Sequence, residues 1–218
     1  MTIKTIDDCV FGDAESKEIL NYILTGALPF PSESIGKTGI ILYGLPGTGK
    51  TTLARNLCGW IELATSGKEV EHSAQFFGVK SGDSASTIRR IEDAARHVSF
   101  NESGVHYFVL DEVDNLNELA MMNLKTIMGT NSHLAYVMTT NYLGAIPKDV
   151  QNRCYCVNMN AGLVDQYESA LQKIATETFN KDLPSSIIRK CAGVGDGSWR
   201  DKMTALTIAC SKRPLRSV

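Results

Sequence analysis

Nothing in this chain is apolar for long enough to cross a bilayer, and neither sign of charge dominates it. The net charge of −2 over 218 residues excludes a protein whose whole surface is built for nucleic acid, although a local basic patch fits within that average. No signal-peptide pattern opens the chain. Cysteine is sparse and unpatterned: Cys9, Cys58, Cys154, Cys156, Cys191 and Cys210 form no Cys-x-x-Cys pair and have no histidine at ligand spacing. Cys154 and Cys156 would share one face of a strand, but two ligands do not make a structural zinc site. These absences exclude a disulfide scaffold and point to reduced thiols in a cytoplasmic compartment. Lys212, Arg213 and Arg216 form a short cationic run that reads as a solvated end.

What is present suits one sizeable domain, or one domain and a small lid: 43% hydrophobic, 21% charged, 18 Gly and 6 Pro. Ala14 to Thr25 carries Ile19, Leu20, Ile23 and Leu24 on one side of a helix that stops at Gly26 and Pro29. A Pro/Ser/Gly-rich connector follows, and Gly39 to Tyr43 is a short apolar run bounded by Gly, as in a buried parallel strand. Lys50 to Ala64 is helical in its spacing, and Ser84 is placed to cap a helix running to His97. Val105 to Leu110 and Leu134 to Thr139 are further buried strands, with a helical stretch from Asn115 to Met128 between them. Strand and helix alternate, which predicts an α/β parallel sheet flanked by helices. After Val157 only helical spacing remains, so the chain divides near residue 160 into an α/β domain (1–160) and a small all-helical lid (161–218).

The chemistry begins at Gly44-Leu45-Pro46-Gly47-Thr48-Gly49-Lys50-Thr51, which matches the P-loop pattern of two glycines with four residues between them, then Lys and Ser/Thr. It lies directly after a strand and before a helix, the context that confirms the motif. The glycines let successive backbone N–H groups point at phosphate oxygens, and the helix adds its positive end. Lys50 then reaches the phosphates as a point charge, while the Thr51 hydroxyl ligates magnesium. A second apolar strand ends in Asp111-Glu112. Strand ends of a parallel sheet face the ligand crevice, so Asp111 fits a magnesium ligand and Glu112 a base that orients the attacking water. Asp114 reads as a helix cap.

In order along the chain stand the phosphate loop, the acidic pair, Thr139-Thr140-Asn141 after another strand, and Asn152-Arg153-Cys154. This order resembles AAA+ ATPases: Walker A, Walker B, sensor 1, arginine finger. Within them the sequence is most similar to clamp-loader ATPase subunits, in particular the large subunit of T-even-like phage clamp loaders. The likeness extends from about Thr5 to Cys210 and rests on five segments. They are Thr5 to Cys9 with its following helix, the loop with Thr51-Thr52-Leu53-Ala54, Leu110 to Asp114, Pro147 to Cys154, and Gly195-Asp196 followed by Arg200.

The resemblance implies an ATP-hydrolysing oligomer that acts on DNA in replication, with ATP and magnesium as cofactors. It makes Asn141 sensor 1, a residue that alone also reads as a turn cap. It makes Arg153 a finger reaching a neighbouring subunit's γ-phosphate, and Arg200, otherwise a helix-end cation, the sensor 2 of the lid. For DNA it points to Ser84, Ser86, Thr87, Arg89 and Arg90 at a helix start, where hydroxyls, N–H groups and cations suit phosphate contacts. The partners implied are other copies across the ATP interface, DNA, and a sliding clamp or another replication protein, in a phage- or bacterium-like intracellular setting. Asn152 replaces the family's Ser, Gly197-Ser198-Trp199 separates Gly-Asp from Arg200, and a bacterial zinc module has no counterpart. The family's collar has none either, which leaves the ATP interface as the expected means of assembly. A helicase loader or a transposition-type ATP switch on DNA is the alternative within the family. A small-molecule kinase would need more Arg before Arg189, and Glu112 speaks against a non-hydrolysing scaffold.

Overall fold

Strand β1 (Gly39–Tyr43) and strand β4 (Leu134–Thr140) are buried along almost their whole length and lie side by side within a five-stranded parallel sheet. The computed structural model describes residues 5–68, 74–80, 84–160 and 162–211, the side chain of Ser84 excepted. The strand order is β2-β3-β4-β1-β5, with β2 at Ala74–Gly78, β3 at His106–Asp111 and β5 at Cys154–Asn158. In register, Gly39 pairs with Tyr136 on one side and Cys154 on the other.

A parallel sheet buried on both faces needs helices on both. Helices α1 (Ala14–Leu24) and α2 (Lys50–Ser66) cover one face, packing Leu20, Leu53, Leu57 and Ile61 against Ile40, Leu42 and Val137. Helices α3 (Ser84–Ala95), α4 (Glu118–Thr130) and the single turn α5 (Lys148–Gln151) cover the other, with Ile91, Leu124 and Val150 against Phe108, Leu110 and Tyr136. Helices α6 (Val164–Phe179), α7 (Ser185–Ala192) and α8 (Trp199–Ser211) bury a third core of their own, joined by Val10. Among the described residues no helix is long and apolar enough to cross a membrane.

Three local expectations are corrected. Asp114 does not cap α4; it lies in a 3-10 turn, and Asn117 is the cap, its side-chain oxygen accepting the Ala120 N–H at 2.9 Å. The helix therefore begins at Glu118, not Asn115, because the turn first carries the chain away from the acidic pair. Ser84 is the first residue of α3, and the helix ends at Ala95 rather than His97. The edge strand β2 had not been expected: only Phe77 in it is buried.

Candidate nucleotide site

The phosphate loop leaves β1 at the carboxyl end of the sheet and enters α2 through Gly49, whose φ is 98°. Two glycines here are demanded by contact as well as by torsion. At Gly44 (φ 147°) a Cβ would lie 2.8 Å from the Asn160 backbone nitrogen, and at Gly47 (φ 82°) 2.8 Å from the Ser198 hydroxyl. The loop lines a cleft of about 370 Å³ together with Asp8, Cys9, Val10, Met159 and the first turn of α8.

Lys50 is 7% exposed, and its ammonium donates to the carbonyls of Gly44 at 2.7 Å and Leu45 at 2.8 Å. Burial holds its pKa below the usual lysine value, and Asp111 pulls it partly back. The ammonium is thus parked on the loop's own oxygens, beside the space that phosphates would fill.

Asp111 ends β3, and its Oδ1 accepts the Thr51 hydroxyl at 2.8 Å and the Thr139 hydroxyl at 2.6 Å. The Thr139 hydroxyl in turn accepts the backbone N–H of Glu112 at 2.9 Å. One hydroxyl at the end of β4 therefore fixes both members of the acidic pair. Glu112 is held at φ 57°, left-handed for a residue with a side chain, a conformation that persists only where its surroundings enforce it. Its carboxylate accepts from the Asn115 side-chain amide at 3.3 Å.

Magnesium prefers hard oxygen ligands and is commonly held by one or two carboxylates with the remainder supplied by phosphates and water. The Thr51 hydroxyl and Asp111 carboxylate, already in contact, fit that donor set. No cluster of three or more His, Cys, Asp or Glu suited to a metal occurs among the described residues, so a dedicated protein cage is not what this site offers.

Of the residues singled out from sequence, Pro46 to Thr52, Glu112, Asn141 and Arg200 line the one cleft. Gly44, Leu45 and Asp111 stand immediately behind, bonded to Lys50 and Thr51. Arg153 is elsewhere. It precedes β5 at the amino end of the sheet, where its carbonyl accepts the N–H groups of Thr38 and Gly39 and its guanidinium donates to the Asp149 carbonyl at 2.9 Å.

The α3 group divides. Ser86, Arg89 and Arg90 are on the surface, and Arg90 also lays its guanidinium 4.5 Å from the Phe77 ring centroid. Thr87 is 5% exposed and faces the helix's packed side, so it is withdrawn as a phosphate contact. Ser84 opens the helix, with its side chain outside the described residues.

Sequence reasoning passed over Asn160, whose side-chain oxygen accepts the Leu45 N–H at 3.0 Å, and Trp199, whose N–H donates to the Gly47 carbonyl at 2.8 Å. Cys9 lines the cleft too, but burial first, and the Asp8 carboxylate second, push its thiol up to about 12, which suits packing and not nucleophilic chemistry.

A family model described as "ATPase family associated with various cellular activities (AAA)" matches residues 40–159. Among solved structures, the chain is similar to a variant of Thermotoga maritima RuvB, at 17% identity and a TM-score of 0.63, covering 90% of this chain and 61% of that one. It is also similar to C. elegans PCH-2, at 14% identity and a TM-score of 0.59, covering 94% of this chain and 72% of that one. Identities this low carry the fold alone, and the chain spans about three fifths of the RuvB length. The family match is of another kind: it runs over more than half of the sequence and takes in the phosphate loop, the acidic pair and the strands that bear them. On that match this chain belongs to the AAA family of ATPases.

Proposed function

We propose that this ATPase hydrolyses magnesium-ATP as an oligomer on DNA, in the manner of a clamp-loader subunit, with each cleft completed by Arg153 of an adjoining copy. The observation that carries the reading is the position of Arg153 at the end of β5 remote from its own cleft. Five strand residues at about 3.3 Å each separate the two ends, too far for one side chain to serve its own nucleotide. A cation held there is useful to a nucleotide only if that nucleotide belongs to a neighbour.

Within one copy, the nucleotide-binding unit is 1–160 and the lid 161–218. Lys50 leaves the loop carbonyls for the β and γ phosphates, and α2 presents its amino end to them. Thr51 and Asp111 would hold magnesium, which would neutralise phosphate charge when bound. Glu112 takes a proton from the attacking water, and Asn141 orients that water or the γ-phosphate. Arg200 approaches from the lid, and the neighbour's guanidinium balances the charge that develops as the terminal phosphoryl group leaves. Ser84, Ser86, Arg89 and Arg90 on α3 are the DNA contacts that remain once Thr87 is withdrawn, and the likeness of Pro147–Cys154 and Gly195–Asp196 to clamp-loader segments favours a sliding clamp as partner.

The test is steady-state ATP hydrolysis alone, with primed DNA, and with primed DNA plus a sliding clamp. Stimulation by DNA that fades with added salt is expected, because contacts to phosphate release counterions. A rate indifferent to every DNA and clamp offered would reject the DNA reading while leaving the ATPase intact.

A further inference from the structure

Among the described residues, the backbone hydrogen bond that joins the lid to the phosphate loop belongs to the residue beside Arg200. Trp199 is the first residue of α8, and its N–H donates to the Gly47 carbonyl at 2.8 Å. The residue is 7% exposed, and its indole ring stands edge-on to Tyr167 of α6 with ring centroids 5.2 Å apart. Its Cδ1 would come within 3.6 Å of a Cβ at Gly49, the residue before Lys50.

Lys202, one turn along and 2% exposed, secures the same turn from within. Its ammonium lies 4.5 Å from the Tyr167 ring centroid and donates to the carbonyls of Ala192 at 2.6 Å and Val194 at 2.9 Å, at the end of α7. A cation on the carbonyls that end a helix is the favourable pairing with its dipole. Trp199 therefore belongs rigidly to the lid through its ring and to the loop through its N–H. Arg200 follows in the same helical turn and lines the cleft.

We propose that Trp199 is the positioning residue that latches the lid to the phosphate loop, so that Arg200 stands over the nucleotide only while the Trp199 N–H holds the Gly47 carbonyl. Gly47 lies between the carbonyls that now hold Lys50 and Lys50 itself, so the curl that the loop adopts around phosphate sets the direction of its carbonyl. The lid reads that direction through one hydrogen bond. Trp199 itself transfers no proton and supplies no charge; it acts through Arg200. The inference rests on the nucleotide reading of the cleft.

Trp199→Pro is the direct test, because proline is accommodated at a first helical position and removes the donated N–H. Its kcat is expected to fall between about 10-fold and 100-fold, the cost of displacing a catalytic group by ~1 Å. KM is expected to change by less than about threefold, the pattern of an interaction used in the transition state. Trp199→Phe keeps the N–H and an aromatic edge on Tyr167, and should recover most of the loss. Combining Trp199→Pro with Arg200→Ala should be no slower than Arg200→Ala alone. An additive loss, or an unchanged kcat in Trp199→Pro, overturns the latch. A second readout needs neither turnover nor the proline variant: in Trp60→Phe protein, Trp199 is the sole tryptophan. A slowly hydrolysed ATP analogue should shift its emission, and unchanged emission at saturation also overturns the proposal. If the wild-type protein binds the analogue but hydrolyses no ATP, the proposed function fails, while the emission still decides the latch.

Discussion

Lys50 and Thr139 represent two ways in which a side chain can serve a phosphate site. Lys50 is adjacent in sequence to the loop it completes and finds its present partners five and six residues away. Thr139 reaches across from β4 to hold Asp111 and Glu112 in place, 28 and 27 residues distant. The first kind of partnership is written into a short motif, and the second exists only once strands are paired. Glu112→Gln separates chemistry from binding, because it keeps shape and hydrogen bonding but removes the base. It should bind magnesium-ATP normally in a filter or fluorescence assay and lose about 10²-fold to 10⁴-fold in hydrolysis, the usual share of a positioned base. Lys50→Ala should lose binding itself, leaving phosphate charge uncompensated. Near-normal turnover by the glutamine variant would reassign the base. At this scale the loop, Asp111 and Glu112 were legible because each sits within a run whose context is local. Asn160 and Trp199 were not, because they meet the loop from 115 residues away and from the lid.

Among the elements, the central strands could be read directly and the edge could not. β1 and β4 are apolar on both faces because both are covered, whereas Ala74-Gln75-Phe76-Phe77-Gly78 lies at the sheet edge with only Phe77 buried, and so lacks a continuous hydrophobic run. Its Phe76 is covered instead by Arg55, whose guanidinium lies 4.0 Å from the ring centroid. The start of α4 was misplaced for a related reason. Asp114 and Asn117 are both cap-forming types, and only the 3-10 turn after Glu112 decides between them.

Helix α2 also carries a charge that sequence periodicity did not mark. Glu62 is fully buried, and it accepts the Ser103 N–H at 3.0 Å and the Ser103 hydroxyl at 2.5 Å, tying the loop before β3 to the helix. Burial by itself raises its pKa; hydrogen bonds, those from Ser103 foremost and with Ser66 and Tyr107 adding to them, together outweigh burial and hold it below the ordinary carboxylate value. A folded-state pKa lower than the unfolded one means that the unfolded chain takes up the proton first. The contribution is therefore complete above the unfolded value of about 4.3 and drains away as pH falls through the folded one. Glu62→Gln should cost about 1–3 kcal/mol at pH 7, as expected when hydrogen bonds to a charged acceptor are weakened. The gap from wild type in urea denaturation should narrow when the measurement is repeated below about pH 4. A gap that does not change with pH would show that packing, not charge, is what Glu62 supplies.

The molecule as a whole has its cleft at the carboxyl end of the sheet and Arg153 at the other. If that arrangement serves neighbours, damage at the two ends should complement. Arg153→Ala protein should bind ATP and hydrolyse it about 10³-fold more slowly, the scale of an arginine supplied in trans. Mixed with Lys50→Ala protein, which cannot bind nucleotide but still offers an intact Arg153, it should regain part of that rate. Activity in the mixture no greater than the sum of the separate proteins would rule out the shared site.

The strand order has a consequence for synthesis. β1 leaves the ribosome with neither neighbour yet made, since β4 and β5, which flank it, are translated only after β2, β3 and their helices. The loop that follows β1 is closed by Asn160, beyond the last strand. A nascent chain halted between Thr51 and β5 therefore carries the full phosphate motif, with the loop's own Lys50 bonds but without Asn160 to close it or β5 to flank β1. The complete cleft, and with it the full set of contacts for ATP, is assembled only once the whole sheet has emerged.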